Sequence, residues 1–336
     1  MDPRTAETVA DPRWFPLRYD AERDQIHFAW IPPETHRAVT FIADLRPSEW
    51  RSVPQAEVSA TRFVEAPLHV ILHSGLGGST LLARALAQPG VVTTFKEPPI
   101  LTDVVAFGLC NPEAQTRGLL RLVSALLSRP FAQGDKIVCK MSSIGNGLSG
   151  PIAELRPDTR ILCLQTPLEQ MLASLAAKGA EGRDGARRLF IGLQNARMTL
   201  VQLNESETRN RSDLELAALA WLSIQRMIRD AADRFGPDRL ASLSTDELLD
   251  DLGESLGAIS RHFGIALDVK ARLASGVLSR HAKTGEPYNA NKRAETLAAT
   301  LRLHGSEIGR VIEWVREVAT ANGIAWDLPH PLLMRS

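Results

Sequence analysis

A glycine-rich loop at residues 74–80 has the residue types of an anion-binding site. The mostly apolar run Leu68 to Leu72 precedes it and an apolar-periodic segment from Leu81 to Leu86 follows it, which predicts a strand, a tight turn and a helix. Glycines let the backbone approach an anion closely, and the N–H groups that open a helix favour negative charge. The predicted phosphate cradle consists of Ser74, Gly75, Leu76, Gly77, Gly78, Ser79 and Thr80.

The loop departs from the ATP-binding pattern G-x-x-x-x-G-K-[ST]. His73 stands where the first glycine belongs and Ser79 replaces the lysine, so only Gly78 and Thr80 match. The mismatch disfavours an ordinary ATPase or kinase. A glycine-rich turn of a doubly wound sheet that binds nothing remains the alternative.

Two charged side chains follow other apolar runs. Val91 to Phe95 is typical of a strand and leads into Lys96-Glu97-Pro98-Pro99, and Ile137 to Cys139 is typical of a short buried strand that ends at Lys140. Because α/β proteins place chemistry at the ends of parallel strands, Glu97 and Lys140 are candidates. The alternatives are a helix-start charge for Glu97 and a solvated charge for Lys140.

The pattern of apolar segments predicts the elements that position these side chains. Buried runs separated by helical patterns indicate an α/β fold with a central parallel sheet and helices on both faces. The strands are expected at 68–72, 91–95, 137–140, 160–164 and 239–243. Long helices are expected at 187–204, 212–235 and about 307–322. Residues 1–66 carry no strong helix signal and predict one or two strands of a small leading unit.

Composition restricts the class of protein. The chain has 336 residues with 39 basic and 39 acidic side chains, 44% hydrophobic and 23% charged residues, as in a soluble globular protein. The charge balance gives no support to nucleic-acid or membrane-surface binding. The odd, widely spaced cysteines suggest buried hydrophobes rather than disulfides or a metal site, and no run is long enough to span a membrane. We therefore expect a cytoplasmic, reducing setting.

The glycine loop resembles the 5′-phosphosulfate loop of sulfotransferases. Its run Ser74-Gly-Leu-Gly-Gly-Ser-Thr-Leu-Leu-Ala-Arg is similar to the usual form, in which Lys or Arg is followed by Ser-Gly-Thr-Thr or Ser-Gly-Ser-Thr and an apolar helix. The resemblance, to a divergent bacterial-type member, implies a P-loop-type three-layer α/β/α fold. It also implies 3′-phosphoadenosine 5′-phosphosulfate (PAPS) as sulfuryl donor. Leu76 stands where the family has its basic residue.

Two further elements of the resemblance concern catalysis. Lys96-Glu97-Pro98 is similar to the (Arg or Lys)-Glu-Pro element of bacterial and tyrosylprotein-type sulfotransferases, whose Glu is the general base toward the acceptor. Lys140-Met-Ser142 is similar to the Lys-Thr-His element of cytosolic sulfotransferases, with Ser142 in place of the histidine base. The resemblance thus implies Glu97 as base and Lys140 as the cation beside the transferred sulfuryl group.

The resemblance extends to the 3′-phosphate. Residues 165–174 are similar to the family's Arg-Asp-Pro-Arg … Ser motif, with Ser174 in the place of the serine after a one-residue shift and Gln165 or Thr166 in the place of the arginine. Residues 245–264 resemble the Tyr-Glu-Asp-Leu … Phe-Leu-Gly stretch, with Thr245 for the tyrosine. A polar loop at 280–293 is similar in position to the family's late basic loop. The resemblance implies Ser174, Lys283 and Lys292 as 3′-phosphate ligands.

A basic, glycine-broken segment at 178–188 allows two interpretations. Mobile loops that carry arginine commonly close over phosphates, so Arg183, Arg187 and Arg188 are candidates for the missing positive charge. A solvated charged turn is the alternative.

Three functions follow as hypotheses. The first is a metal-independent sulfotransferase that uses PAPS on a hydroxyl or amine of a small molecule or peptide, with residues 1–66 as an extension packed on a core of 67–336. The second is a phosphotransferase that uses Lys96 or Lys140 with Mg²⁺ held by an acid such as Asp103 or Asp246. The third is an inactive relative that binds a nucleotide or a partner, which Leu76 and the missing arginine favour.

Overall fold

The computed structural model describes residues 2–75, 77–276 and 290–333. The strands are β1 (Trp14–Asp20), β2 (Gln25–Trp30), β3 (Trp50–Pro54), β4 (Leu68–His73), β5 (Val92–Lys96), β6 (Lys136–Lys140), β7 (Ile161–Gln165) and β8 (Leu240–Ser244). The helices up to the middle of the chain are α1 (Pro3–Ala10), α2 (Pro33–Ala38), α3 (Gln55–Ala60), α4 (Ser79–Leu86), α5 (Pro99–Cys110), α6 (Glu113–Leu127) and α7 (Ser149–Leu155). The later helices are α8 (Leu168–Ala177), α9 (Gly179–Asn195), α10 (Glu205–Asn210), α11 (Asp213–Arg239), α12 (Thr245–Asp250), α13 (Leu252–Phe263), α14 (Val269–Ala274) and α15 (Ala290–Ala321).

Five strands form the central sheet in the order β5-β6-β4-β7-β8, and every neighbouring pair is parallel. The predicted parallel sheet is therefore confirmed, with strand ends within a residue or two of the expected positions. Such a sheet must be covered on both faces, since each strand carries apolar residues on both sides. In β4, for example, Ile71 faces the core that contains Leu82 of α4, whereas Val70 and Leu72 face the core that contains Ile100 of α5. The three-layer α/β/α arrangement is thus confirmed.

The leading unit is a separate antiparallel sheet, β1-β2-β3, flanked by short helices. The prediction gave it strands but no helix, because α1, α2 and α3 have only six to eight residues each and so carry almost no periodic signal. The unit is fixed to the core by Arg129, which is buried after α6. Its guanidinium donates hydrogen bonds to the carbonyl oxygens of Val9 and Trp14, each at 2.7 Å. The boundary at residue 66 stays a prediction.

Other segments differ from the predictions. Residues 179–188 belong to α9 rather than to a loop, and that helix ends at Asn195 rather than at residue 204. Helix α11 continues past the expected stop through a break at Gly236, whose φ is 66°. Helix α15 begins 17 residues before the expected start, at 290 against about 307. None of the helices in the described ranges is long and apolar enough to cross a bilayer.

Candidate phosphosulfate-binding site

The glycine loop lies at the carboxyl end of β4, where the order of the sheet reverses. Strands β6 and β5 lie on one side of β4, and β7 and β8 lie on the other. Ligands of open α/β sheets bind in the crevice at such a switch point. The loop is therefore in the position that the sequence predicted for an anion site.

The described part of the loop has the geometry of a cradle. Gly75 has a φ of 90° and Gly78 a φ of 76°, values that side-chain-bearing residues rarely adopt. Gly78 is the N-cap of α4 and no side chain caps the helix. The N–H groups of Ser79 and Thr80 have no intrahelical partners, so they are available to an anion at the positive end of the helix dipole. Leu76 lies outside the described residues.

Two threonines hold the loop from beneath. Thr166 follows β7, and its hydroxyl donates to the carbonyl oxygen of Gly75 at 2.8 Å. Thr245 follows β8, and its hydroxyl lies 3.1 Å from the carbonyl oxygen of Gly77. Because the C=O and N–H of a peptide unit point in opposite directions, the Gly77 carbonyl on Thr245 turns the N–H of Gly78 toward the other side. The threonines thus present the loop's N–H groups to a ligand.

His73 and Asn146 join the loop to the strand that carries Lys140. Asn146 Nδ2 donates to the His73 carbonyl at 2.8 Å. The His73 ring accepts the Gly75 N–H at Nδ1 at 3.0 Å, so its proton is on Nε2, which lies 2.8 Å from the carbonyl oxygen of Met141. These hydrogen bonds therefore fix the position of the loop relative to the end of β6.

Gly77→Ala is expected to displace the loop. A Cβ at this position would lie 1.8 Å from Thr166 Oγ1 and 2.4 Å from Thr245 Oγ1, closer than any real contact. We expect a loss of roughly 1–3 kcal/mol of folding stability, together with most of the thermal stabilisation by an anionic ligand. Gly118→Ala on α6 is the control, because an added Cβ there meets nothing within 4 Å. Thermal unfolding with and without adenosine 3′,5′-bisphosphate checks both variants, and equal ligand shifts in the two would contradict the packing argument.

Lys140 and Glu97 form an ion pair at the carboxyl ends of β6 and β5. Lys140 is 2% exposed and its Nζ donates to Glu97 Oε1, whereas the Glu97 side chain is 27% exposed. Burial lowers the pKa of Lys140, and Glu97 acts in the opposite direction. The structure therefore brings together the two residues that the sequence nominated for catalysis, with the Glu97 side chain partly exposed to solvent.

Glu97 is held in an unusual backbone conformation. Its φ is 58°, in the left-handed region, and its N–H donates to the carbonyl oxygen of Lys140 at 2.9 Å. A side-chain-bearing residue in this region costs about 1–2 kcal/mol. Such strain persists where the surroundings over-determine it, commonly at functional sites. Here it directs the carboxylate back over the end of β6.

The leading unit also reaches this site. The Lys140 ammonium lies 5.2 Å from the centre of the Phe41 ring, a distance at which cations are attracted to aromatic faces. Lys96 makes its hydrogen bonds with the leading unit instead of with Glu97. Its Nζ donates to the carbonyl oxygens of His36 at 2.6 Å and Arg37 at 3.2 Å. The segment 36–41 therefore lies against the lysines at the ends of β5 and β6.

The remaining candidates have different outcomes. Ser74 is buried and its hydroxyl accepts the Thr166 N–H at 2.8 Å, so it braces the loop. Ser174 is half-buried in the second turn of α8. Lys283 lies outside the described residues. Lys292 belongs to α15 rather than to a loop, and its side chain is not described.

The position of the family's arginine offers no cation. Gln165 Nε2 donates to Gln225 Oε1, and Gln225 in turn donates to the carbonyl oxygens of Trp326 at 3.3 Å and Asp327 at 3.2 Å. Both glutamines are therefore tied to the C-terminal segment. The arginines of α9 are also engaged, in the pairs Arg183 with Glu307, Arg187 with Asp213 and Arg188 with Asp184. They form helix-surface pairs rather than a loop over the site.

The acids named for a metal are likewise engaged. Asp103 accepts both guanidinium bonds of Arg18, at 2.8 and 2.9 Å, and Asp246 accepts from Gln170 at 2.7 Å. Within the described ranges, no three His, Cys, Asp or Glu side chains are grouped so that they could hold a metal ion.

Two cavities border the sheet edge. One of about 860 Å³ lies beside β7 and β8, and its lining has five carboxylates and one cation: Glu169, Asp246, Glu247, Glu313, Asp327 and Arg316. This excess of negative charge does not suit a phosphate. The other, of about 250 Å³, is lined by Thr102 of α5, Ser142 after β6 and Arg188 of α9, among others. It lies beside the segments that carry Glu97 and Lys140.

Sequence reasoning missed several residues of this site. Thr166 was named only as one of two positions for the family's arginine, although it follows a parallel strand just as Glu97 does. Asn146 and Phe41 carry no such signal, since each reaches the site only through the tertiary fold. His73 was noted only as a mismatch to the ATP-binding pattern, although it joins the loop to β6.

Comparisons with known proteins identify structural neighbours. No family model matches the chain, and no curated protein matches it. The sulfotransferase domain from the curacin biosynthetic pathway is 13% identical, with a TM-score of 0.43 over 75% of this chain and 98% of that chain. The sulfotransferase domain from the Synechococcus PCC 7002 olefin synthase is 17% identical, with a TM-score of 0.39 over 79% of this chain and 98% of that chain. Both neighbours bear the name of the family that the sequence motifs resemble, but these scores are too low to bear on this chain's chemistry.

Proposed function

We propose that the protein is a sulfotransferase that uses PAPS as donor. The observation that carries the proposal is the Lys140–Glu97 pair beside an uncapped helix N-terminus at the switch point of a parallel sheet. A buried cation, a solvent-facing carboxylate and a backbone anion cradle are the groups that transfer of an anionic sulfuryl group needs. The residues of the 5′ side therefore fit the donor.

When bound, PAPS supplies an activated sulfuryl group. The N–H groups of Gly78, Ser79 and Thr80 would hold its 5′ end, and the Lys140 ammonium would stabilise negative charge on the sulfuryl oxygens. Glu97 Oε1 accepts a hydrogen bond from Lys140 Nζ, and Glu97 Oε2 makes no hydrogen bond to the described residues. Oε2 would take the proton from the acceptor hydroxyl or amine. The Ser174, Lys283 and Lys292 roles toward the 3′-phosphate stay proposals.

The acceptor side is proposed from the smaller cavity. Its lining includes Thr102, in the first half of α5 shortly after Glu97, and Ser142, two residues beyond Lys140. A volume of about 250 Å³ admits a small group rather than a large ring system. We propose that the reacting end of a small molecule or peptide side chain enters here, next to Glu97 Oε2.

Thermal unfolding against three conditions tests the donor. Adenosine 3′,5′-bisphosphate should raise the midpoint more than ATP with Mg²⁺ does, relative to buffer, because a ligand that binds only the folded state stabilises it. The absence of a lysine at Ser79, together with Ser174 and the late basic segment at 280–293, motivates this order. Equal or reversed shifts would favour the phosphotransferase.

A further inference from the structure

Two lysines lie side by side at the edge of the sheet next to the glycine loop. Lys96 and Lys140 are register partners on the parallel strands β5 and β6, so their side chains leave the same face of the sheet. Val92 and Val138 on that face pack against α4, the helix that begins at the loop. Like charges directly opposite on neighbouring strands are destabilising.

A third cation belongs to the same group. Arg84 of α4 reaches the carbonyl oxygen of Ala38 at 3.4 Å and Thr40 Oγ1 at 3.3 Å. These contacts belong to the segment 36–41, whose carbonyls also receive Lys96. Three cations are thus held by one stretch of the leading unit.

The charges of this group do not balance among the described residues. Glu97 is the carboxylate that pairs with Lys140, whereas Lys96 is 0% exposed and donates only to neutral carbonyls. Arg84 Nε is buried and has no hydrogen-bond partner there. A buried excess of positive charge is costly unless an anion compensates it.

We propose that Arg84, Lys96 and Lys140 together supply the positive charge that Leu76 does not, for the 5′-phosphosulfate end of the donor. The inference rests on the proposed function. Lys140 is the direct contact, while Lys96 and Arg84 are positioning residues that act through the electrostatic field at the loop. The segment 36–41 keeps both of them in place, so the leading unit is part of the donor site.

The titration of Lys96 gives this inference a pH dependence. Burial, followed by the charges of Arg84 and Lys140, lowers the pKa of Lys96 to about 8. A bound anion favours the charged ammonium, so binding takes up a proton above that pH. From pH 7 to pH 9 the affinity for adenosine 3′,5′-bisphosphate should then fall about tenfold.

Among the other charged groups near Lys96, Lys140 is a second lysine whose pKa burial lowers. On α2, burial lowers the pKa of His36 to about 3, so it stays neutral in this range, and the neighbouring Arg37 is a guanidinium. On α4, Arg84 stays charged as well. Glu97 is paired with Lys140, whose own pKa burial also lowers. The pH dependence of the affinity therefore has to be compared between the parent and a variant that lacks Lys96.

Calorimetric titration with adenosine 3′,5′-bisphosphate at pH 7 and pH 9 tests the inference. Lys96→Met should bind on the order of tenfold more weakly at pH 7 and lose the decline around pH 8. Lys136→Met, at the opposite end of β6, is the control and should behave as the parent. Arg84→Met should also bind more weakly, and it serves if Lys96→Met does not fold. If Lys96 only holds the carbonyl oxygens at the end of α2, Lys96→Met would lower thermal stability but leave the affinity and its pH profile unchanged. That result would overturn the inference.

Inorganic sulfate separates this inference from the donor proposal, since its charge is constant between pH 7 and pH 9. Stabilisation by sulfate that is weakened in Lys96→Met and retained in Lys136→Met supports the cation group even if the nucleotide does not bind. In that case the donor proposal fails and the anion site stands. Equal stabilisation of both variants by sulfate contradicts the contribution of Lys96 to anion binding.

Discussion

Lys140→Ala is expected to lower the turnover of sulfuryl transfer by about two to three orders of magnitude, which is the effect of losing one preorganised donor in a buried site. The ammonium is 2% exposed and is held between Glu97 and the Phe41 ring, so it needs little reorganisation when charge develops beside it. Donor affinity should change less, because the loop N–H groups remain. Steady-state turnover and the dissociation constant of adenosine 3′,5′-bisphosphate together separate the two effects.

Lys136→Ala is the matched control for this variant, since it removes a lysine from the opposite, amino-terminal end of the same strand. Its turnover should equal that of the parent. The role given to Lys140 is wrong if Lys140→Ala transfers sulfate at the parent rate.

Glu97→Gln is expected to reduce turnover by about a hundredfold to ten-thousandfold, the usual contribution of a general base. The amide keeps the shape of the side chain and can still accept the Lys140 hydrogen bond, so the strained backbone at φ 58° has no reason to relax. Binding of adenosine 3′,5′-bisphosphate should be preserved. Rates measured under donor saturation, with Glu113→Gln on α6 as control, check this prediction. A Glu97→Gln variant with parent turnover would assign the proton transfer elsewhere.

The sheet was predictable from the sequence for a physical reason. A parallel strand is buried on both faces, so Leu68 to Leu72, interrupted by His69, and Ile137 to Cys139 are mostly apolar runs that stand out from helical patterns. The same rule placed Glu97 and Lys140 at strand ends, and the parallel pairing of β5 with β6 then brought these two ends together. Local sequence was sufficient here because neighbouring strands carry the chemistry.

The segment 178–188 shows where local signals fail. Its glycines predicted a loop, yet Gly182 lies in α9. The position needs a glycine because a Cβ there would lie 2.1 Å from the Leu175 carbonyl oxygen. The glycine allows close approach of α8 and α9 rather than flexibility. Propensity is a weak guide where tertiary packing requires a missing side chain.

The contribution of the leading unit was not predictable. Phe41 and the carbonyls of α2 meet Lys140 and Lys96 across some 60 to 100 residues of chain, as with Lys96 and His36 at a separation of 60. No spacing rule connects such positions. For the same reason the sequence indicated that loop charge was missing without indicating that Arg84 and Lys96 are available to supply it.

The central claim is that this site transfers a sulfuryl group, and the most direct measurement is formation of adenosine 3′,5′-bisphosphate from PAPS with a panel of alcohols, phenols and amines. We expect acceptor-dependent product formation by the parent that falls by about two to three orders of magnitude in Lys140→Ala. PAPS that stays intact in a saturated complex with the parent, across the whole panel, would contradict the account and identify the chain as an inactive relative.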